Sequence, residues 1–115
     1  MKPIKWIGSS LRDLKEFPEQ VQKNIGYALH FAELGLKHDD AKPLKGIGGG
    51  VMEIVADYDS DTYRAVYTVK IKEVIYVIHA FQKKSKKGIK TPQHEIDLIK
   101  RRLKDLQKQI REEMI

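Results

Sequence analysis

Between Val51 and Phe81 the chain carries three β-rich segments in close succession: VMEIVADY at 51–58, TYRAVYTVK at 62–70 and VIYVIHAF at 74–81. Only DSD and IKE separate them. Links this short join antiparallel neighbours, because a parallel crossover needs a dozen residues or more, so the three segments predict a meander. A fourth short apolar run, Ile4 to Ile7, adds a strand at an edge or beside the last one. Helices then have to supply the rest of the core. Ser9 or Ser10 caps one running through Leu11 and Leu14 to Phe17, and Pro18 interrupts it. With Pro18 in its first turn, a second and longer helix carries Val21, Ile25, Ala28, Leu29 and Ala32 at helical spacing and stops at Gly35. Leu36 to Gly50, with Pro43, Gly46 and Gly48 to Gly50, reads as a loop.

After the last strand, Thr91, Pro92 and Glu95 mark a helix start. Ile96, Ile99, Leu103, Leu106 and Ile110 then form one apolar stripe on an otherwise charged helix. The stripe either packs on the sheet or meets a partner. It spans too few heptads to argue for a coiled coil, so the sheet is favoured. The predicted fold is α+β, with two N-terminal helices on an antiparallel sheet of about four strands and a C-terminal helix, in one domain over residues 1–115.

Several function classes fall away. The chain has no cysteine, and His30, His38, His79 and His94 show no helical metal-ligand spacing, so no metal or other cofactor is expected. The glycine triplet leads into a strand, whereas a phosphate-binding Walker loop ends in Gly-Lys-Ser/Thr and opens a helix. No serine sits in a Gly-x-Ser-x-Gly elbow. No apolar run approaches the roughly 18 residues of a membrane span, and the start lacks the apolar stretch of a signal peptide, so a cytoplasmic location is expected.

Charge points to a partner. The net charge is +6, yet residues 1–82 hold 11 basic and 11 acidic side chains. The excess lies wholly in residues 83–115, beginning with Lys83, Lys84, Lys86, Lys87 and Lys90. This run suits a phosphate backbone or an acidic protein, or is simply a solvated lysine-rich surface.

Alternation along the sheet selects the candidate chemistry. If Tyr58 lies opposite Tyr63, then Asp57 faces Arg64, Val55 faces Val66 and Glu53 faces Thr68 on one side of the sheet. Met52, Ile54, Ala56, Ala65, Tyr67 and Val69 form the other, apolar side under the helices. Glu53 and Arg64 then look out together from an open face. A carboxylate and a guanidinium beside a lysine run can act on RNA, whose 2′-OH is a built-in nucleophile, without a metal. The alternative is a surface ion pair of little energetic weight. His79 offers acid-base chemistry or, more simply, a packed and hydrogen-bonded ring.

The segments AKPLKGIGGGVMEI, TYRAVYTV and IYVIHAFQKKSKKGIKTPQHEIDLIKRRL, in this order and spacing, resemble the RelE/ParE superfamily of bacterial toxins from toxin-antitoxin pairs, in particular its phage-derived HigB-like branch. The resemblance runs from Trp6 to about Leu103. It implies a ribosome-dependent endoribonuclease, an mRNA interferase of a type II system, neutralised by a cognate antitoxin. It also implies that Arg64 holds the scissile phosphate and that Lys84 is a second basic catalytic residue. Glu53 stands where relatives carry either a basic or an acidic residue, and acts as general base or as orienting ion pair. Lys83, Lys86 and Lys87 are the expected RNA contacts, with Lys45 of the glycine loop a further one. Two features depart from the branch: VMEIVADY lacks a basic residue after its glutamate, and no tyrosine follows the lysine run. The rival readings are a ParE-like inhibitor of DNA gyrase without nuclease activity and a degenerate member that only binds antitoxin.

Overall fold

The structure, a computed structural model, describes residues 1–83 and 91–113. In chain order the elements are β1 (Ile4–Trp6), α1 (Ser10–Lys15), α2 (Glu19–Glu33), β2 (Ala41–Pro43), β3 (Val51–Tyr58), β4 (Asp61–Ile71), β5 (Val74–Lys83) and α3 (Gln93–Glu113). The five strands form one sheet in the order β1-β5-β4-β3-β2. The α+β class holds, with one strand more than expected. The addition is β2, inside the segment read as a loop, and it pairs antiparallel with β3 through Ala41, Lys42 and Pro43. Three residues ending in proline give no alternation to read, and an edge strand is one of the few places in a sheet where proline is tolerated. β1 lies parallel to β5 at the other edge, so the sheet is mixed and not wholly antiparallel as expected; β1 and β5 are far apart in sequence, and no short link forces them to run in opposite directions.

The meander is present, in a different register. Tyr58 pairs with Asp61, Val55 with Arg64 and Glu53 with Val66. Each partner is therefore two positions from the expected one. The links are correspondingly tighter, namely the dipeptides Asp59-Ser60 and Lys72-Glu73, all four residues with positive φ between 49° and 72°. Two-residue turns of this hand match the right-handed twist of the strands they join. Because side chains alternate with period two, an even shift leaves every residue on its predicted face.

One face of the sheet packs on α1 and α2. Ile54, Ala56, Ala65, Tyr67, Ile75 and Val77 are buried against Leu14, Phe17, Val21, Ile25, Ala28 and Leu29. Pro18 is the N-cap of α2, one position outside the helix, with extended backbone (ψ 145°) and its carbonyl accepting from Gln22 N–H. At the other end, Gly35 at φ 78° donates to Ala32 O while Leu36 N–H reaches back to Phe31 O, the paired bonds of a Schellman stop.

The opposite face is where expectation and structure part. It does not lie open: Ile99, Leu103 and Leu106 of α3 bury against Val51, Val66, Tyr76, Ile78 and Phe81. The α3 stripe thus packs on its own sheet, and in doing so covers the face from which Glu53 and Arg64 were expected to look out. Helices flank the sheet on both sides. None of the described helices is long and apolar enough to cross a membrane.

Candidate active site beneath the third helix

Glu53 and Arg64 are diagonal neighbours on β3 and β4, since Glu53 pairs with Val66 and Val55 with Arg64. Their side chains point to the α3 face, and Arg64 Nη1 forms an ion pair with Glu53 Oε1. Both are buried, at 2% and 4% exposure respectively. Burial pulls the Arg64 guanidinium below the usual arginine range, since leaving water disfavours its charged form. The adjacent carboxylate opposes that cost. A buried pair of this kind is held by geometry, and removal of either member strands the other.

The pair lies along a cleft of about 640 Å³ whose rim includes Lys42, Lys45, Thr91 and Ile96. Lys42 stands on β2 directly opposite Glu53, and Lys45 follows two residues after the strand ends. Both lysines are exposed. Among the described residues, three cationic side chains thus line the cleft with one carboxylate, an arrangement suited to an anionic substrate. The structure places Lys45, named from the sequence only as a further RNA contact in the glycine loop, in the same cleft as the pair, and adds Lys42, which sequence reading passed over. Its signal was the short spacing of Lys42 and Lys45 around Pro43 and Leu44, which became legible only once β2 was seen to border β3.

Lys83 is the last residue of β5 and pairs with Thr62. It shares the Arg64 face, two positions beyond Phe81, which pairs with Arg64 itself. Lys84, Lys86 and Lys87 lie outside the described residues.

His79 takes part in a separate buried network. Its pairing with Val66 is followed by that of Val77 with Tyr67, so Ile78 is the extra residue of a bulge. The bulge sends both Ile78 and His79 toward α3, which explains why simple alternation left the His79 face open. Arg102 Nη1 donates to Ile78 O at 3.0 Å and lies 3.3 Å from His79 Nδ1. With an arginine donor on that side, the ring proton belongs on Nε2, which donates to Glu95 Oε1 at 3.0 Å. Arg102 Nη2 donates to Ser9 Oγ at 3.0 Å, and Ser9 Oγ donates to Asp13 Oδ2 at 2.7 Å. The network ties α3 to β5 and α1. His79 is a packed, hydrogen-bonded ring of the kind expected, and it is not among the residues lining the Arg64 cleft.

A family model described as "Phage derived protein Gp49-like" matches residues 12–104. The chain belongs to this Gp49-like family. Among solved structures, the isolated RelE toxin of E. coli is similar over 88% of this chain and 98% of that one, with a TM-score of 0.58 and 17% identity. At that identity the likeness concerns the fold, which is RelE-like. No curated protein matches the sequence. The Gp49-like family and the RelE-like fold agree with the resemblance carried by the sequence motifs.

Proposed function

We propose that this protein is the toxin of a type II toxin-antitoxin system and a metal-independent, ribosome-dependent mRNA endoribonuclease that halts translation in the cytoplasm. The observation that carries this reading is the Glu53–Arg64 pair along a lysine-rimmed cleft. In the proposed reaction an RNA strand enters along Lys42 and Lys45, and a phosphate draws the Arg64 guanidinium away from Glu53. Glu53 accepts the proton of the 2′-OH as O2′ attacks the adjacent phosphorus. The P–O5′ bond breaks, leaving a 2′,3′-cyclic phosphate, and the departing O5′ takes a proton from a cleft ammonium or water. Arg64 holds the extra negative charge of the pentavalent phosphorus, the largest contribution a preorganised donor makes. Lys84 remains the candidate for a second cation at the phosphate, with Lys83, Lys86 and Lys87 holding flanking RNA or ribosomal RNA. A cognate antitoxin is the expected protein partner.

Inducing the protein in growing bacteria and mapping new RNA 5′ ends tests this reading. Codon-phased new ends are expected. Chromosomal DNA breaks without new RNA ends would instead identify a ParE-like gyrase inhibitor, and unimpaired growth a member that only binds antitoxin.

A further inference from the structure

The loop that carries Lys45 into the Arg64 cleft continues through Ile47 to Gly50, and there it closes a second, smaller cavity of about 210 Å³ on the α3 side of the sheet. Gly48, Gly49, Gly50, Thr68, Lys70 and Gln107 line it together with four aliphatic side chains, and among the described residues no carboxylate does. Thr68 is only 2% exposed, and its Oγ1 has no hydrogen-bond partner among the described residues. Buried hydroxyls are seldom left in that state unless a ligand or water completes them.

The position of Lys70 is equally specific. Its aliphatic stem lies flat across Gly50, where a Cβ would meet the lysine carbons at 2.8 to 3.0 Å. Its Nζ lies 4.0 Å from where a Gly49 Cβ would stand. Glycine at position 50, with φ 80°, supplies both the backbone turn and the room that lets the Lys70 stem lie beside the cavity, with its ammonium over Gly49. The walls therefore bring together a hydroxyl donor, an ammonium, a carboxamide and glycine backbone. The volume is below the roughly 300–1,000 Å³ of pockets for drug-sized ligands, and suits one phosphoryl group rather than a whole nucleotide.

We propose that this cavity is an anion subsite that receives a single phosphate group, bound by Thr68 Oγ1 and Lys70 Nζ. Free phosphate and a backbone phosphate of RNA share that chemistry. One loop borders both cavities, with Lys45 in the first and Ile47 to Gly50 in the second, so a backbone phosphate of RNA held in the Arg64 cleft is the second source to test. Only this RNA source rests on the nuclease reading.

The test uses the full-length protein, inorganic phosphate and a 2′-O-methyl oligoribonucleotide that cannot be cleaved. Phosphate should shift the amide resonances of Gly48, Gly49, Gly50 and Thr68. Thr68→Val, which removes the unsatisfied hydroxyl while keeping shape, should raise the melting temperature of the phosphate-free protein and weaken phosphate binding about ten- to a hundredfold, the loss of one hydrogen bond to a charged group. Lys70→Gln should weaken it comparably and serves if the first variant misfolds. Unmoved loop resonances, or wild-type phosphate affinity in both variants, would overturn the subsite. Competition between phosphate and the oligonucleotide, lost in Thr68→Val, identifies RNA as the source, whereas unchanged oligonucleotide binding overturns that source and leaves free phosphate. Phosphate binding that persists when wild-type protein cuts no RNA would separate failure of the nuclease reading from failure of the subsite.

Discussion

Arg64 illustrates how burial changes the meaning of a substitution. On an open sheet face Arg64→Ala would remove a phosphate-binding charge and leave the fold intact. Beneath α3 it also leaves Glu53 as an unpaired buried carboxylate, at a cost of about 3–5 kcal/mol. Loss of growth inhibition in that variant would then confound chemistry with folding. Arg64→Lys keeps the positive charge in place while discarding the planar fork that can hold two phosphate oxygens. It should retain most of the stability yet lower the cleavage rate by about 10²–10³. Glu53→Gln, close in shape, should slow cleavage with a flattened acid limb of the pH profile if Glu53 is the base. If Glu53 only orients Arg64, the rate falls without that change of profile. A folded Arg64→Lys protein that cleaves at the wild-type rate would remove Arg64 from the reaction. That these two residues share a face was readable from alternation alone, because the register error was even. Their burial was not readable, since it depends on where a helix some thirty residues later comes to rest.

At the scale of elements, α3 is held by two distinct devices. Its apolar stripe packs on the sheet, and Leu103→Ala should cost about 2–5 kcal/mol because the residue is buried among Val51, Val66 and Phe81. The second device is polar: Arg102 bridges Ile78 O, His79 and Ser9, so it pins the N-terminal half of α3 where Ile96 borders the Arg64 cleft. The Arg102 guanidinium also fills the space beside Gly8, 3.1 Å from where a Cβ would stand. Arg102→Met keeps the stem and deletes the donors, and should cost about 1.5–3 kcal/mol. Amide hydrogen exchange should quicken in α3 and at Ile78 and His79, while α2 keeps its protection. Equal protection throughout α3 in the variant would show that the apolar stripe alone fixes the helix. The stripe was legible because Ile99, Leu103 and Leu106 repeat at helical spacing. The network was not, because it joins residues 9, 79, 95 and 102 across three elements and depends on a β-bulge. Nor do Lys72 and Glu73 announce a two-residue turn, being neither glycine nor asparagine. β2 escaped for a similar reason, as a three-residue edge strand has too short a period to detect.

At the scale of the whole molecule, the charge split takes on a different sense once the chain is folded. Residues 1–82 are neutral in sum, yet they contribute Lys42, Lys45 and Arg64 to one cleft against Glu53. Net charge per segment therefore understated the cationic character of the first part, since its acidic residues lie elsewhere, such as Asp57, Asp59 and Asp61 around the β3-β4 turn. The RNA-binding surface in the nuclease reading has two sources, the β2 lysines and the run from Lys83 onward, and salt dependence can apportion them. Each single-strand phosphate contact that is lost should flatten the slope of log affinity against log salt by about 0.7. Lys42→Gln with Lys45→Gln should thus reduce the slope by about 1.4, and Lys86→Gln with Lys87→Gln by a similar amount. Contacts of this type position the strand without reading its sequence, so both double variants should weaken binding across different RNAs. The pairs differ in their kinetic effect: the cleft pair stands beside Arg64 and should lower the cleavage rate as well as affinity. If the Lys42/Lys45 variant leaves slope and rate unchanged while the Lys86/Lys87 variant flattens the slope, RNA is held by the run from Lys83 onward, and the cleft beneath α3 is not its path.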